Sequence, residues 1–480
     1  MQETYLQITA FVTGALVMIL EILGFRMFAP YFGYSVYVSG MLIGIVLVAM
    51  TIGAYLGGVW ADKRPSFSFL FKLLLAADVY LFLIAFFYGS LLGWLSALGV
   101  LAGTFWASMI IFAPPMLLLG LVTPFIVKLI AKEHNIGLTV GKVTAVGTLG
   151  SIIGTFLVTF YLIPVLGTHI TLYATSAVLL VVSVTALLFE HKAYGLFIGL
   201  IFLFNPIPVR SEGNIVFQTE SAYNLVKVVS AGSRLYLKLN DDRWLQSSHS
   251  DSDTTGLYYD YLNLGPLLAK GKDILILGMA GGTSAMQFRN FFDANVEGVD
   301  IDPKVVEASH AYFNVPRDDP KLKIIVDDAR PFLSKSDKKY DVIEVDMYQG
   351  GIYVPFYVVT QEFFQLVYTH LKEGGVMVMN VYSPTQYDAE ASILQAVGST
   401  VRSVFPSLFL VRLEDNGLLI ATKEARSWGE VSNVLNAYTG PLSSVVNQVK
   451  GGIKVFNPSG IILTDDWAPI EQITYKAVRG

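Results

Sequence analysis

The chain has 480 residues, 53% of them hydrophobic and only 15% charged, more apolar than a soluble protein of this length needs for its core. Through Arg210 there are 9 Lys+Arg against 6 Asp+Glu, which leaves 24 against 32 beyond it, so a slightly basic apolar part precedes an acidic, soluble-like part. The lack of Cys excludes disulfides, thiolate metal sites and cysteine nucleophiles, and an acidic second part without a basic stripe argues against nucleic-acid binding.

A spanning helix needs about 20 largely apolar residues. Six stretches qualify: 6–25, 38–61, 70–90, 104–127, 143–163 and 170–189. The N-terminus has no basic region followed by a small-residue cleavage site, so the first run reads as a retained span. Glu21 and Asp78 fall inside apolar runs, where an ionisable group is either functional or paired with another helix. A seventh, shorter run, 193–209, ends in Asn205-Pro206-Ile207-Pro208. It crosses, re-enters or lies on the membrane. Lys63, Arg64 and Lys72 follow the second span, Lys128, Lys132 and Lys142 the fourth, and Lys192 the sixth. The positive-inside rule puts these three segments in the cytosol. Six spans return the chain to the cytosol, so the expectation is that the seventh run does not cross and that the soluble part lies on the cytoplasmic side of the cell (inner) membrane.

From 211 to 255, short apolar runs at Ile215–Phe217, Leu225–Val229 and Leu235–Leu239 predict a small antiparallel β domain. Beyond 256, the period becomes helical through Leu268 and then strands and helices alternate. Buried strands are predicted at 274–277, 296–299, 322–326, 342–345 and 376–381, with helices at 284–292, 303–313, 361–371 and 389–404. Strict alternation implies a parallel sheet covered on both faces. The runs 408–411 and 418–421, separated by Asp415-Asn416-Gly417, read as a closing hairpin. The expected organisation is a transmembrane domain over 1–210, the β domain over 211–255 and a Rossmann-like domain over 256–480.

The candidate chemistry lies at the ends of the parallel strands, where open sheets bind ligands. Gly278, Gly281 and Gly282 form a glycine loop between the first strand and its helix, suited to close approach of a nucleotide. Asp300, 22 residues beyond Gly278, ends the second strand and is placed to accept hydrogen bonds from ribose. Asp328 and Ala329 follow the third strand, where a side chain and a backbone amide can read adenine. Asp346 ends the fourth, beside Tyr348 and Gln349. A solvated cap or turn residue is the bland alternative for each carboxylate.

These spacings are also where a family becomes recognisable. The stretch 215–381 resembles the spermidine synthases, and the whole chain resembles their membrane-fused relatives. The resemblance is carried by Tyr258-Tyr259-Asp260 ahead of Pro266, the Gly278 loop, Gly298-Val299-Asp300-Ile301-Asp302, Asp327-Asp328-Ala329 and Asp346. Val354-Pro355-Phe356, Thr360-Gln361-Glu362-Phe363-Phe364 and Leu463-Thr464-Asp465-Asp466-Trp467 mark the membrane-fused branch. It implies a class I adenosyl-cofactor transferase fold in which Asp300 binds ribose, Asp328 adenine, and Asp346 receives the proton of the attacking amine. Gln246 and Tyr258 would line the methionine-derived side and the acceptor pocket.

The implied reaction is aminopropyl transfer from decarboxylated S-adenosylmethionine, a co-substrate, to a polyamine, with no metal and no tightly bound cofactor. Two departures bear on the acceptor. Gly281 replaces a loop acid that holds the aminopropyl ammonium, and Gln349 replaces a second acid. Asp260, Glu344, Asp465 and Asp466 are candidate substitutes, the last two beside Trp467, whose ring suits an ammonium; helix capping or a surface turn is the alternative for that pair. A methyltransferase using intact S-adenosylmethionine and a polyamine transporter or sensor are the competing functions. The lipid bilayer and the polyamine are the expected partners, and a homodimer is left open.

Overall fold

The computed structural model describes residues 2–33, 35–132, 135–189, 214–240, 244–269, 271–348, 351, 353–383 and 393–479. The chain divides into two compact units, Met1–Ser211 and Glu212–Gly480. The apolar run 193–209 and Gln349 lie outside the described residues.

The first unit is helical because its long apolar runs carry few charged groups, and a helix satisfies the backbone hydrogen bonds within itself. Five helices are long and apolar enough to cross a membrane: Gln2–Phe32, Val36–Lys63, Phe67–Ser96, Val100–Ile130 and Ile136–Leu188. At 1.5 Å per residue, the 53 residues of the fifth would extend about 80 Å, well over twice the ~30 Å hydrocarbon core. It is broken at Gly167 (φ 77°, ψ 172°), so the last two predicted spans are the two arms of one kinked helix. Ser35 and Ser66 cap the second and third helices through the backbone N–H groups of Val38 and Phe69. The π-helical turns Ser108–Phe112 and Val158–Leu162 lie just ahead of Pro114 and Pro164, prolines that lack the N–H a regular helix would use.

Small residues let these helices meet backbone to backbone. A Cβ on Gly150 would lie 1.9 Å from the Phe11 carbonyl oxygen, and one on Gly53 2.1 Å from that of Leu117. Asp78, fully buried in the third helix, accepts a 2.6 Å hydrogen bond from Ser176 of the fifth.

The second unit begins with a four-stranded antiparallel sheet, β1 (Ile215–Glu220), β2 (Leu225–Ala231), β3 (Arg234–Leu239) and β4 (Ser247–His249), paired in chain order. The predicted helix after Gly256 forms as two short pieces, Tyr259–Leu262 and Leu264–Ala269. The larger sheet has eight strands, β5 (Asp273–Leu277), β6 (Asn295–Asp300), β7 (Leu322–Val326), β8 (Tyr340–Val345), β9 (Leu371–Tyr382), β10 (Ser407–Arg412), β11 (Asn416–Thr422) and β12 (Ile453–Val455). Their spatial order is β12-β10-β11-β9-β8-β5-β6-β7.

Strands β7, β6, β5, β8 and β9 run parallel, while β11, β10 and β12 are antiparallel additions. Alternate residues of each central strand serve opposite cores: Ile274 and Ile276 pack on one face, Leu275 and Leu277 on the other, all at 0% exposure. That two-sided burial explains why these strands read as continuous apolar runs. The strand order reverses between β5 and β8, the switch point where ligands of open sheets bind.

Candidate active site

The glycine loop leaves β5 at Gly278, whose φ of 90° is accessible to glycine and strained for other residues. Space demands glycine too, since a Cβ there would lie 2.2 Å from the carbonyl oxygen of Asp346. The ends of β5 and β8 are thereby locked together, and the Asp346 N–H donates to the Leu277 carbonyl at 3.0 Å. Gly282 (φ 82°) makes the second turn and opens the helix Thr283–Phe292. Between them, the Ala280 N–H points to Asp300 Oδ2 at 2.8 Å and the Gly281 N–H to Ser247 Oγ at 2.8 Å. A Cβ at 281 would meet the Ser247 Cβ at 2.7 Å, so this serine of β4 occupies the room an acidic side chain would need.

Asp300 ends β6 and accepts from the Asp302 N–H at 3.0 Å as well as from Ala280. Burial outweighs these two bonds and pushes its carboxyl up to about 6. Asp302, 1% exposed, ties the two sheets together by accepting from Ser221 at 2.6 Å and Asn224 at 2.9 Å. Asp328 caps the helix Ala329–Lys335 through the Arg330 N–H at 3.1 Å and accepts from the Tyr357 hydroxyl at 3.3 Å. Ala329, at the next position, is buried.

Asp346 is gripped from two sides: the Tyr258 hydroxyl donates to Oδ2 at 2.8 Å, and Asn380 Nδ2 donates to Oδ1 at 3.0 Å. Asn380 is aimed in turn by Asn416, which donates to its Oδ1 at 2.7 Å. Burial still pushes Asp346 up to about 6, against these two stabilising bonds. An acid in that range is ionised at neutral pH and basic enough to take a proton. Two residues earlier, on β8, Glu344 is 2% exposed and accepts from Ser284 at 2.8 Å. Burial first, and the Asp346 charge second, push it up to about 8. Glu344, Asp346, Gln246, Tyr258, Ser284 and Gly278 line one small cavity.

The other candidates are spoken for elsewhere. Asp260 accepts from the backbone N–H of Thr255 and Gly256, the Thr255 hydroxyl and Gln287 Nε2, which makes it the anchor of the 255–256 turn. Asp465 forms a 2.5 Å ion pair with Arg330 and accepts from Thr360 at 2.7 Å. Asp466 is exposed in a turn closed by mutual 3.0 Å bonds between Thr464 and Trp467. None of these three lines the cavity with Asp346. Tyr348 reaches β9, donating to the Asn380 carbonyl at 3.1 Å and accepting from the Tyr382 N–H at 2.7 Å.

Sequence reasoning missed Asn380, Asn416, Ser247 and Ser284. Asn380 did carry a signal, as the one amide within the apolar run Val376–Val381. Asn416 read as a turn residue but is the first residue of β11, because the hairpin turns earlier, where the Leu413 N–H bonds the Asn416 carbonyl at 2.8 Å.

Residues 260–429 match the family described as spermine/spermidine synthase domain. A probable polyamine aminopropyl transferase of Bifidobacterium longum is 34% identical over 290 residues, a match covering 56% of this chain and 64% of that protein, just under two thirds of its length. Polyamine aminopropyltransferase 2 of Aquifex aeolicus is 23% identical over 449 residues, 88% of each chain. Among solved structures, spermidine synthase from Thermotoga maritima is similar at 18% identity with a TM-score of 0.40, over 49% of this chain and 83% of that one.

Proposed function

We propose that the protein is a membrane-bound polyamine aminopropyltransferase, a reading supported by the match of residues 260–429 to the family described as spermine/spermidine synthase domain. It transfers the propylamine group of decarboxylated S-adenosylmethionine to a polyamine such as putrescine and releases methylthioadenosine. The apolar helices of the first unit anchor it in the bilayer, with the second unit on the cytoplasmic side of the inner membrane.

The observation that carries this reading is Asp346: a carboxylate at the switch point, oriented by Tyr258 and Asn380, pushed up to about 6, next to a glycine loop whose Ala280 amide already fixes Asp300. Asp300 would bind the ribose of the donor and Asp328 its adenine; each carboxylate keeps lone pairs beyond the bonds it already accepts. The amine nitrogen of the acceptor attacks the propyl carbon bonded to the sulfonium. A C–N bond forms, the C–S bond breaks with its electron pair going to sulfur, and the proton lost by nitrogen passes to Asp346. Direct displacement needs alignment and a base, and the hold of Tyr258 and Asn380 on Asp346 supports its role as the base.

Asp346→Asn tests it, since the amide keeps the size and cannot take the proton. Turnover should fall about a hundred- to ten-thousandfold, with methylthioadenosine binding retained. The unmodified protein should release methylthioadenosine one-for-one with the lengthened polyamine, by mass spectrometry. Full activity of the Asn variant would remove Asp346 from the mechanism, and S-adenosylhomocysteine as product would replace aminopropyl with methyl transfer.

A further inference from the structure

Three carboxylates near the carboxyl edge of the sheet are engaged by the fold. Asp302 is held by Ser221 and Asn224, Asp260 by Thr255, Gly256 and Gln287, and Asp465 by Arg330. Glu344 differs. Its Oε1 accepts from Ser284, while its Oε2, buried, has no hydrogen-bond partner among the described residues. A buried carboxylate oxygen left unpaired is costly unless something else meets it.

It also lies where a ligand would. Glu344 near the end of β8 and Asp346 just beyond it, two residues apart, line the same cavity. The glycine loop over that cavity offers no acid, because Gly281 is there and Ser247 fills the space beside it. Among the described residues, the titratable groups that share the cavity with Glu344 are Asp346, Tyr258 and Tyr259, and none is cationic. Among the described residues, the cavity wall thus holds two carboxylates and no counter-charge.

Resting on the aminopropyltransferase reading, we propose that Glu344 is a specificity-determining residue that receives a primary alkylammonium group of the ligand on its free Oε2. Asp346 then handles the reacting amine, and Glu344 neutralises an ammonium that does not react. That ammonium belongs either to the propylamine arm of the donor or to the distal end of a diamine acceptor. Burial keeps the Glu344 carboxyl at about 8, so at neutral pH it is protonated without a cation and ionises when one arrives. Binding of the cation therefore releases a proton.

Glu344→Gln, which keeps the volume and the Ser284 contact, separates the sources. Loss of affinity for decarboxylated S-adenosylmethionine with unchanged affinity for methylthioadenosine, which lacks the amine, assigns the contact to the donor. A raised KM for a diamine with unchanged KM for a monoamine of equal length assigns it to the acceptor. Either loss should be roughly tenfold to a hundredfold, the worth of one charge-assisted hydrogen bond. Unchanged values on both arms, or equal losses for charged and uncharged ligands, overturn the proposal. If the variant fails to bind methylthioadenosine at all, calorimetry of the unmodified protein at pH 7 in two buffers of different ionisation enthalpy decides. Release of close to one proton with an amine-bearing ligand, and none with methylthioadenosine, supports it, and no release with either class overturns it. Failure of the aminopropyl-transfer reading would show differently, as no methylthioadenosine formed by the unmodified protein from donor and amine.

Discussion

Asp346 owes its character to opposing effects on one carboxylate. Burial raises it, while the bonds from Asn380 and Tyr258 favour the charged form and hold the rise to about 6. The sign of a pH experiment follows. A base must be ionised, so turnover should fall as pH drops through about 6. Tyr258→Phe removes a donor to the charged form, so the carboxyl rises further and the acid limb moves to higher pH. One charge-assisted bond is worth about 1.5 to 3 kcal/mol, and a pKa unit about 1.4, so a shift of roughly one unit is expected in the pH profile of kcat. The acceptor amine titrates near 10 and leaves the acid limb separate. An acid limb that stays in place would mean that Tyr258 does not tune the base. The placement of Asp300, Asp328 and Asp346 at or just beyond strand ends was legible, because sequence period locates those ends. Asn380 and Asn416 were not, because they meet only through the pairing of β9 with β11, in which Asn380 lies opposite Leu418 and Asn416 opposite Tyr382. The Arg330–Asp465 pair, 135 residues apart in sequence, is hidden for the same reason.

At the scale of elements, legibility follows apolar content. The central parallel strands β5 and β8 were readable as apolar runs because both faces are buried. The three-residue strands β4 and β12 carry too little pattern to be seen, yet β4 delivers Ser247 to the glycine loop. Strand β9 starts at Leu371, five residues ahead of its predicted start, extending through Gly374 and Gly375. The loop itself was recognisable from its glycines, and the reason for each becomes clear only in the packed sheet. Gly278→Ala brings two penalties together: a strained φ of 90° and a Cβ 2.2 Å from the Asp346 carbonyl. Gly232→Ala is the control, with φ 64° and nothing within 4 Å of the added Cβ. The control should cost about 1 kcal/mol in denaturant unfolding, within the ~1–3 kcal/mol range for a strained residue. Gly278→Ala should cost more and should also abolish turnover, because relieving the contact displaces the backbone of Asp346. Equal effects of the two substitutions would mean that the β5–β8 contact does not position the base.

For the whole molecule, hydropathy and charge located the apolar helices, the distribution of Lys and Arg and an interruption between 163 and 170, while the backbone conformation that makes it, Gly167 at φ 77°, was beyond them. The structure adds an observation about sidedness that sequence did not contain: Lys128, near the end of Val100–Ile130, lies 2.6 Å from Asp62, near the end of Val36–Lys63. The connections after the second and fourth apolar helices therefore lie at one level of the helical unit, and both carry the basic residues that mark a cytosolic face. An exposed pair of this kind contributes little stability, so its value here is geometric. The chain contains no Cys, which leaves no background for thiol labelling. Arg64→Cys and Lys132→Cys should resist a membrane-impermeant maleimide in intact cells and react once the cells are opened. Leu98→Cys, in the connection after the third helix and 45% exposed, should react from outside. A C-terminal reporter should behave as Arg64→Cys does if the second unit draws the proposed donor from the cytosol. Labelling of Arg64→Cys and Lys132→Cys from outside would invert the helical unit. A C-terminus on the opposite side from Arg64 would mean that the run 193–209 crosses the membrane, and the proposed supply of decarboxylated S-adenosylmethionine would fail with it.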